Sequence, residues 1–183
     1  PHAVVFDETY YVKDAYTLWH LGYEGSWPAD ANVAFNAGNP YGFLDAPSFV
    51  AHPPIGKWII ALGLAVFGAS DPFGWRIAVA VCGILLVLVT MLLAKLLFRS
   101  TLFAVIAGGL MAIDGNAIVM SRVALLDTML ALFVLLGAGA VLLDRRADGA
   151  GWARPWLVVA GVCFGLATGV KWSGLYFLAA FAL

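Results

Sequence analysis

The run Ile77–Phe98, IAVAVCGILLVLVTMLLAKLLF, is 22 residues long and carries one charge, Lys95. About 20 apolar residues in a helix cross the hydrocarbon of a bilayer, where every backbone polar group must be satisfied inside the segment. The run therefore predicts a membrane-spanning helix, and the rest of the chain follows its lead. Further spans are expected over 102–120, 123–143 and 156–170, with another segment from 175 to 183. Asp114, Gly115 and Asn116 interrupt the second of these and are placed at its outer end. The expected fold is an all-α integral membrane bundle. Residues 73–183 supply the helices and residues 1–72 a long first loop.

Composition agrees. The chain is 63% hydrophobic and 11% charged, against about 25% charged in soluble domains. A formal net charge of -1 gives no basic surface for nucleic acid. Cys82 and Cys163 each sit inside an apolar run and read as small buried hydrophobes. No Cys/His spacing of the zinc type occurs, so no metal is expected. The chain begins at Pro1 and ends inside an apolar run at Leu183. This suggests a piece of a longer polytopic protein, with at least one helix before it and several after.

The first loop has its own pattern. Tyr11, Ala15 and Leu18 recur at helical spacing, with Lys13, Thr17 and His20 opposite, so about 9–21 reads as a short amphipathic helix. Residues 22–51 are rich in Gly, Pro, Asn and Asp and read as irregular loop. Pro53-Pro54 opens a second helix, about 54–69. Its apolar run Trp58–Phe67 is too short to span, so it is expected to lie in the interface. Lys95 and Arg99 fall on one side with Arg145, Arg146 and Arg154, which the positive-inside rule makes cytoplasmic. The first loop, the Asp114 turn, Arg122 and Lys171 then face outward. Trp75, Trp172 and Tyr176 mark outer boundaries, and Trp152 and Trp156 the inner one.

Five polar runs lie between these apolar segments, where ionisable groups are costly. Asp7-Glu8 either cap the first short helix or supply a base in an external cavity. Neighbouring carboxylates point about 100° apart on a helix, so they suit one base with one supporting acid rather than a glycosidase pair. In His52-Pro53-Pro54-Ile55-Gly56-Lys57, a helix N-terminus beside Lys57 makes an anion site, and His52 can bond a phosphate or sugar oxygen. The structural alternative is a shaped turn with Lys57 snorkelling to headgroups. Arg76, Arg122 and Lys171 read singly as boundary residues and together as a phosphate clamp. Asp127 stands five residues after Arg122, outside the facing i+3 and i+4 positions, so an inter-helix partner is expected. A sugar phosphate ester already has a good leaving group. Its transfer needs a base for the incoming hydroxyl and stabilisation of the departing phosphate.

Phe6-Asp7-Glu8, the HPPIGK run, Trp75-Arg76, Ser121-Arg122 with Leu125-Leu126-Asp127, and Gly169-Val170-Lys171-Trp172-Ser173-Gly174 together resemble the protein O-mannosyltransferases, over nearly the whole chain. FDETYY and GVKWSGLY look like actinobacterial members. The resemblance implies a GT-C fold with two juxtamembrane helices in an external first loop. It also implies metal-independent, inverting transfer of mannose from a β-linked polyprenyl-phosphate mannose to Ser or Thr of secreted proteins at the bacterial plasma membrane. By motif, Asp7 would be the base and Glu8 its acceptor-site partner. Arg76 would be an arginine important for activity; His52, Lys57, Arg122 and Lys171 would bind substrate or phosphate, with Asp127 and Trp172 in support. No cofactor is expected. The partners expected are the lipid-linked donor, the acceptor proteins, membrane lipid and the secretion translocon. The competing readings are another GT-C sugar transferase, of the lipid A aminoarabinose type, and a transporter. Transporters place ionisable groups near the midplane, whereas here they gather at one face.

Overall fold

The computed structural model describes residues 3–40, 42–147 and 154–182. Trp152 and Leu183 lie outside them. The described residues form nine α-helices: α1 Glu8–Leu21, α2 Ala31–Asn36, α3 Ile55–Phe67, α4 Pro72–Phe98, α5 Thr101–Ile113, α6 Gly115–Arg122, α7 Asp127–Asp144, α8 Pro155–Val170 and α9 Gly174–Ala182. They contain no strand, only an isolated antiparallel bridge between Gly25 and Pro47. The fold is an all-helical membrane architecture.

Two helices, α4 and α7, are long and apolar enough to cross a membrane, and the α5–α6 pair makes a third if it is one bent span. At 27 residues, α4 is about 40 Å long. Its start is written in Asp71-Pro72. The Asp71 carboxylate accepts from the Phe73 N–H at 2.8 Å, and Pro72 occupies a position whose N–H has no helical partner. Arg99 closes the helix in a left-handed conformation, φ 53°. The α5–α6 pair bends by 61°. The cause is Asp114, which leaves helical geometry at ψ 122° and caps α6 through the Ala117 N–H at 2.7 Å. Residues 123–126 then run outside any helix, so α7 starts at Asp127 rather than at Val123. With 16 residues, α8 is shorter than the span of about 20 that a bilayer requires; it packs along α7.

Helix α4 is the hub, packing on α3, α5, α6 and α7. The α3–α4 approach is backbone on backbone: a Cβ on Gly63 would stand 2.3 Å from the Gly74 carbonyl oxygen, so only glycine fits. Core residues include Tyr11, Val12 and Ala15 of α1, Ile60 and Leu64 of α3, Trp75 and Val79 of α4, and Leu126 and Met129 at the start of α7. The first loop is thus welded to the bundle.

Two readings of the loop change. Thr17, expected on the polar face of α1, is fully buried, bonding back to the Lys13 carbonyl and accepting the Gly25 N–H at 3.0 Å. The region 22–51 is not all irregular, since α2 lies within it. Cys82 and Cys163 are free thiols and buried. Leu96, Leu143 and Trp156 line one apolar cleft. Lys95, Arg99, Arg145, Arg146 and Arg154 therefore gather at one end of the bundle, where Arg154 pairs with Asp144.

Candidate active site

The other end of the bundle collects the polar motifs. Its assembly depends on two close approaches. A Cβ on Gly56 would meet Leu126 Cδ2 at 2.6 Å, and one on Gly169 would meet Ile55 Cγ1 at 2.5 Å. These glycines let the start of α3 nest between the start of α7 and the end of α8. His52, Asp127 and Lys171 are brought together there, beneath α1.

Asp7 and Glu8 part company, as a 100° step along a helix requires. Asp7 begins α1, yet its side chain makes no capping bond. It borders a cleft of about 640 Å³ with Tyr10, Tyr11 and Trp27. The preceding residue, Phe6, is left-handed at φ 51°, a conformation that costs a residue with a Cβ roughly 1–2 kcal/mol.

Glu8 points inward and is fully buried. Its Oε1 accepts from Arg76 Nε at 2.7 Å and from the Ala124 N–H at 2.8 Å. Its Oε2 accepts from Arg76 Nη2 at 2.7 Å and from the Val5 N–H at 2.9 Å. Arg76 Nη2 also donates to the Ala3 carbonyl at 3.0 Å. Four donors therefore hold both carboxylate oxygens. Glu8 and Arg76, expected at the acceptor and the phosphate, are placed on each other. They tie the start of the chain to α4 and to the 123–126 segment.

Lys57 too is held by carboxylates within the fold. It is 0% exposed, with Nζ 3.0 Å from Asp14 Oδ2 and 2.8 Å from Glu24 Oε2. Burial pushes the Asp14 and Glu24 carboxyls up, and Lys57 pulls them back down. One ammonium between two carboxylates is a buried ionic staple joining α1, the loop after it and α3. Sequence reasoning missed Asp14 and Glu24. Asp14 could have been found as the inward-facing acid on α1; nothing in the sequence marks Glu24.

Asp127 does have an inter-helix partner. Lys171 Nζ, just past the end of α8, lies 2.7 Å from its Oδ1, with the two side chains 24% and 49% exposed. Among the described residues Arg122 makes no ion pair and is exposed at the end of α6. Trp172 is 62% exposed. Asp127 also borders a second, mostly apolar cleft of about 400 Å³ between α4, the α5–α6 bend and α7.

Two groups link Asp7 to the Asp127–Lys171 pair. The Tyr11 ring lies 6.0 Å from that of His52. Burial, then Asp7 and Asp127, push the Tyr11 phenol up to about 12. Burial, then Lys171 and Lys57, hold His52 below its usual value, against the opposite pull of Asp127 and Asp7. His52 is thereby kept as a neutral ring, able to donate from one nitrogen and accept at the other. Its Nδ1 is buried without a partner among the described residues. Tyr11 was also missed, although its place four residues after Asp7 puts both on one face of α1. No group of three metal-ligating side chains occurs among the described residues.

Comparison with known proteins places the chain. Residues 49–183 match the family model of the dolichyl-phosphate-mannose-protein mannosyltransferases. A protein of Mycobacterium tuberculosis named polyprenol-phosphate-mannose–protein mannosyltransferase is 38% identical over 81% of this chain and 32% of its own length. Proteins of the same name from Mycolicibacterium smegmatis and Corynebacterium glutamicum are 35% and 36% identical over 98% of this chain, and over 35% and 36% of their own lengths. The chain thus spans about a third of the length of the curated relatives it matches. No solved structure matches. With its helices, its clustered motifs and these relatives in agreement, the chain belongs to the dolichyl-phosphate-mannose-protein mannosyltransferase family.

Proposed function

We propose that this chain carries the catalytic loop of an inverting mannosyltransferase, which moves mannose from polyprenyl-phosphate mannose to a Ser or Thr hydroxyl of a secreted protein on the extracytoplasmic face of the plasma membrane. The observation that carries the reading is the position of Asp7. Its carboxylate is not spent on capping α1 and faces a cleft. Through Tyr11 and His52 it adjoins the only lysine–carboxylate pair among the described residues with both members accessible to solvent.

In this reading the Asp7 carboxylate takes the proton of the acceptor hydroxyl while that oxygen bonds to mannose C1. The bond from C1 to the phosphate oxygen breaks, its electron pair leaves with the polyprenyl phosphate, and the configuration at C1 inverts. Lys171 and Arg122 stabilise the charge on the leaving group. Asp127 holds Lys171 in place, and neutral His52 bonds a sugar or phosphate oxygen. The first lipid units lie in the apolar cleft that Asp127 borders. Glu8 and Arg76 position Asp7 by fixing the chain on either side of it.

The test is transfer of labelled mannose from polyprenyl-phosphate mannose to a Ser/Thr peptide by the purified membrane protein. Transfer to peptide is expected. Transfer to a lipid acceptor alone would replace this reading with that of another lipid-linked sugar transferase. For the sidedness, a cysteine at Ala46, exposed in the first loop, in a background free of Cys82 and Cys163 should react with an impermeant reagent in intact cells. A cysteine at Ala147 should react only after lysis, and the reverse pattern would refute the assignment.

A further inference from the structure

The apolar cleft between α4, α7 and α8 lies at the far end of the bundle from Asp7 and has no part in the reaction proposed above. It holds about 360 Å³ and has no charged side chain in its walls. From Leu135 to Leu143 of α7 it runs about 12 Å, within the roughly 15 Å that one leaflet contributes to the hydrocarbon. Its floor is the contact of α4 with α7, where a Cβ on Gly139 would stand 2.8 Å from Leu93 Cδ2. Leu92, Leu136, Trp156 and Val159 remain exposed at its rim. The cleft ends in cations. Leu92, Leu96 and Arg99 recur at helical spacing along α4, as Leu136, Leu143 and Arg146 do along and just past α7. The Arg146 N–H donates to the Leu143 carbonyl at 3.1 Å, so the chain keeps turning beyond the end of α7. Lys95 and Arg145 stand beside them. All four cations are exposed, and none is in an ion pair among the described residues. Asp144, the one acid described at this end, is buried and held by Arg154.

We propose that this cleft binds one anionic phospholipid of the leaflet at the basic end: an acyl chain lies along Leu93, Gly139 and Cys163, and Arg99 and Arg146 bind the headgroup phosphate. Lys95 and Arg145 add positive charge around it. The slot alone would accept any lipid tail, so the selection comes from charge. A guanidinium matches two phosphate oxygens at once. A zwitterionic lipid brings its own ammonium to oppose the surrounding cations, whereas an anionic lipid does not. Basic pockets between membrane helices bind anionic headgroups for this reason. A protein segment filling the same cleft would have to bring carboxylates to four cations at the depth of the headgroups. A phospholipid of that leaflet already has its phosphate there.

The test titrates the purified membrane protein, stripped of lipid in detergent, with phosphatidylglycerol and with phosphatidylcholine of the same chains. Retained lipid is counted by native mass spectrometry, and the unfolding temperature is followed in parallel. One phosphatidylglycerol should be held in preference to phosphatidylcholine and should raise the unfolding temperature. A basic residue near the headgroups is worth about a fivefold gain in affinity for an anionic lipid. The double variant Arg99→Gln/Arg146→Gln should therefore bind phosphatidylglycerol about 25-fold more weakly and phosphatidylcholine as before. Val159→Trp fills the slot from its exposed rim, leaves the arginines in place and should lose the retained lipid. The comparison of the two lipids on the wild type does not depend on how either variant folds. Equal retention of both lipids by the wild type would overturn the inference and leave an unselective apolar surface. Retention of neither would also overturn it, because protein would then cover the cleft. Displacement of the lipid by glycerol phosphate would reduce the site to one for free anions, and wild-type affinity for phosphatidylglycerol in both variants would place the lipid elsewhere.

Discussion

Arg76 grips Glu8 through two N–H···O bonds of 2.7 Å each, across 68 residues of sequence, with Glu8 fully buried. A planar guanidinium meeting a carboxylate two-to-two is the strongest common form of ion pair, and burial screens it little from its partner. Each member alone is a liability in that setting. Arg76→Ala would leave the carboxylate with two backbone donors only, at a cost of about 3–5 kcal/mol. Thermal unfolding in detergent should show the loss. The double replacement Glu8→Gln/Arg76→Met removes both charges and should be less destabilised than Arg76→Ala alone. Losses that simply add would show that the two residues do not act as a pair.

Asp7 should behave in the opposite way, although it is the next residue. Its side chain makes no capping bond, so Asp7→Asn should leave the unfolding temperature unchanged. Turnover should fall about 10²- to 10⁴-fold, the usual contribution of a general base. Donor binding should be intact. Near-wild-type transfer by Asp7→Asn would return Asp7 to a merely local role.

The contrast shows what could be read from the chain and what could not. The spans are legible because a bilayer demands uninterrupted apolar length, and Ile77–Phe98 supplies it. The break at Asp114 is legible because Asp-Gly-Asn caps and turns rather than continues. The polar residues are legible as a set, since charge near a membrane is rarely idle. Their partners are not. Nothing local indicates that Lys57 is held by Asp14 and Glu24, or that Arg76 grips Glu8. The first pairing comes from the packing of α1 on α3 and the second from the place of Arg76 on α4, 68 residues from Glu8. Thr17 shows the same limit: helical spacing puts it on the polar face, and the loop folding back to Gly25 buries it.

The Asp127–Lys171 pair separates stability from function more sharply. The two side chains are partly exposed, 49% and 24%, so the pair contributes about 0–1 kcal/mol to folding. Lys171→Met should therefore unfold within a few degrees of wild type. If Lys171 holds the donor phosphate, losing a charged hydrogen bond costs about 1.5–3 kcal/mol, and the donor requirement should rise about 10- to 150-fold. Arg122→Ala should move the donor requirement in the same direction. Asp127→Asn should raise it less, since Lys171 keeps its charge and loses only its tether. Wild-type donor kinetics in all three variants would make them boundary residues.

His52 supplies a test by pH. Burial, Lys171 and Lys57 lower its affinity for a proton in the fold, while in the unfolded chain it titrates near its ordinary value of about 6.5. Below that value the unfolded state binds the extra proton first, so stability falls as the pH drops through about 6.5. It goes on falling until the folded protein also takes up the proton. Above about pH 7 neither state is protonated at His52, and the residue contributes no slope. Asp14 and Glu24 act the other way, because their carboxyls are raised by burial: the stability that their protonated forms confer is present at low pH and lost as the pH rises. Comparison of wild type with His52→Gln removes this opposing background, which the two proteins share. The difference in unfolding temperature should be flat from pH 8 to about 7 and should then shift in favour of His52→Gln as the pH falls towards 5. Parallel curves over that whole range would mean that His52 is as easily protonated in the fold as out of it. The neutral ring assigned to it beside Lys171 would then be wrong.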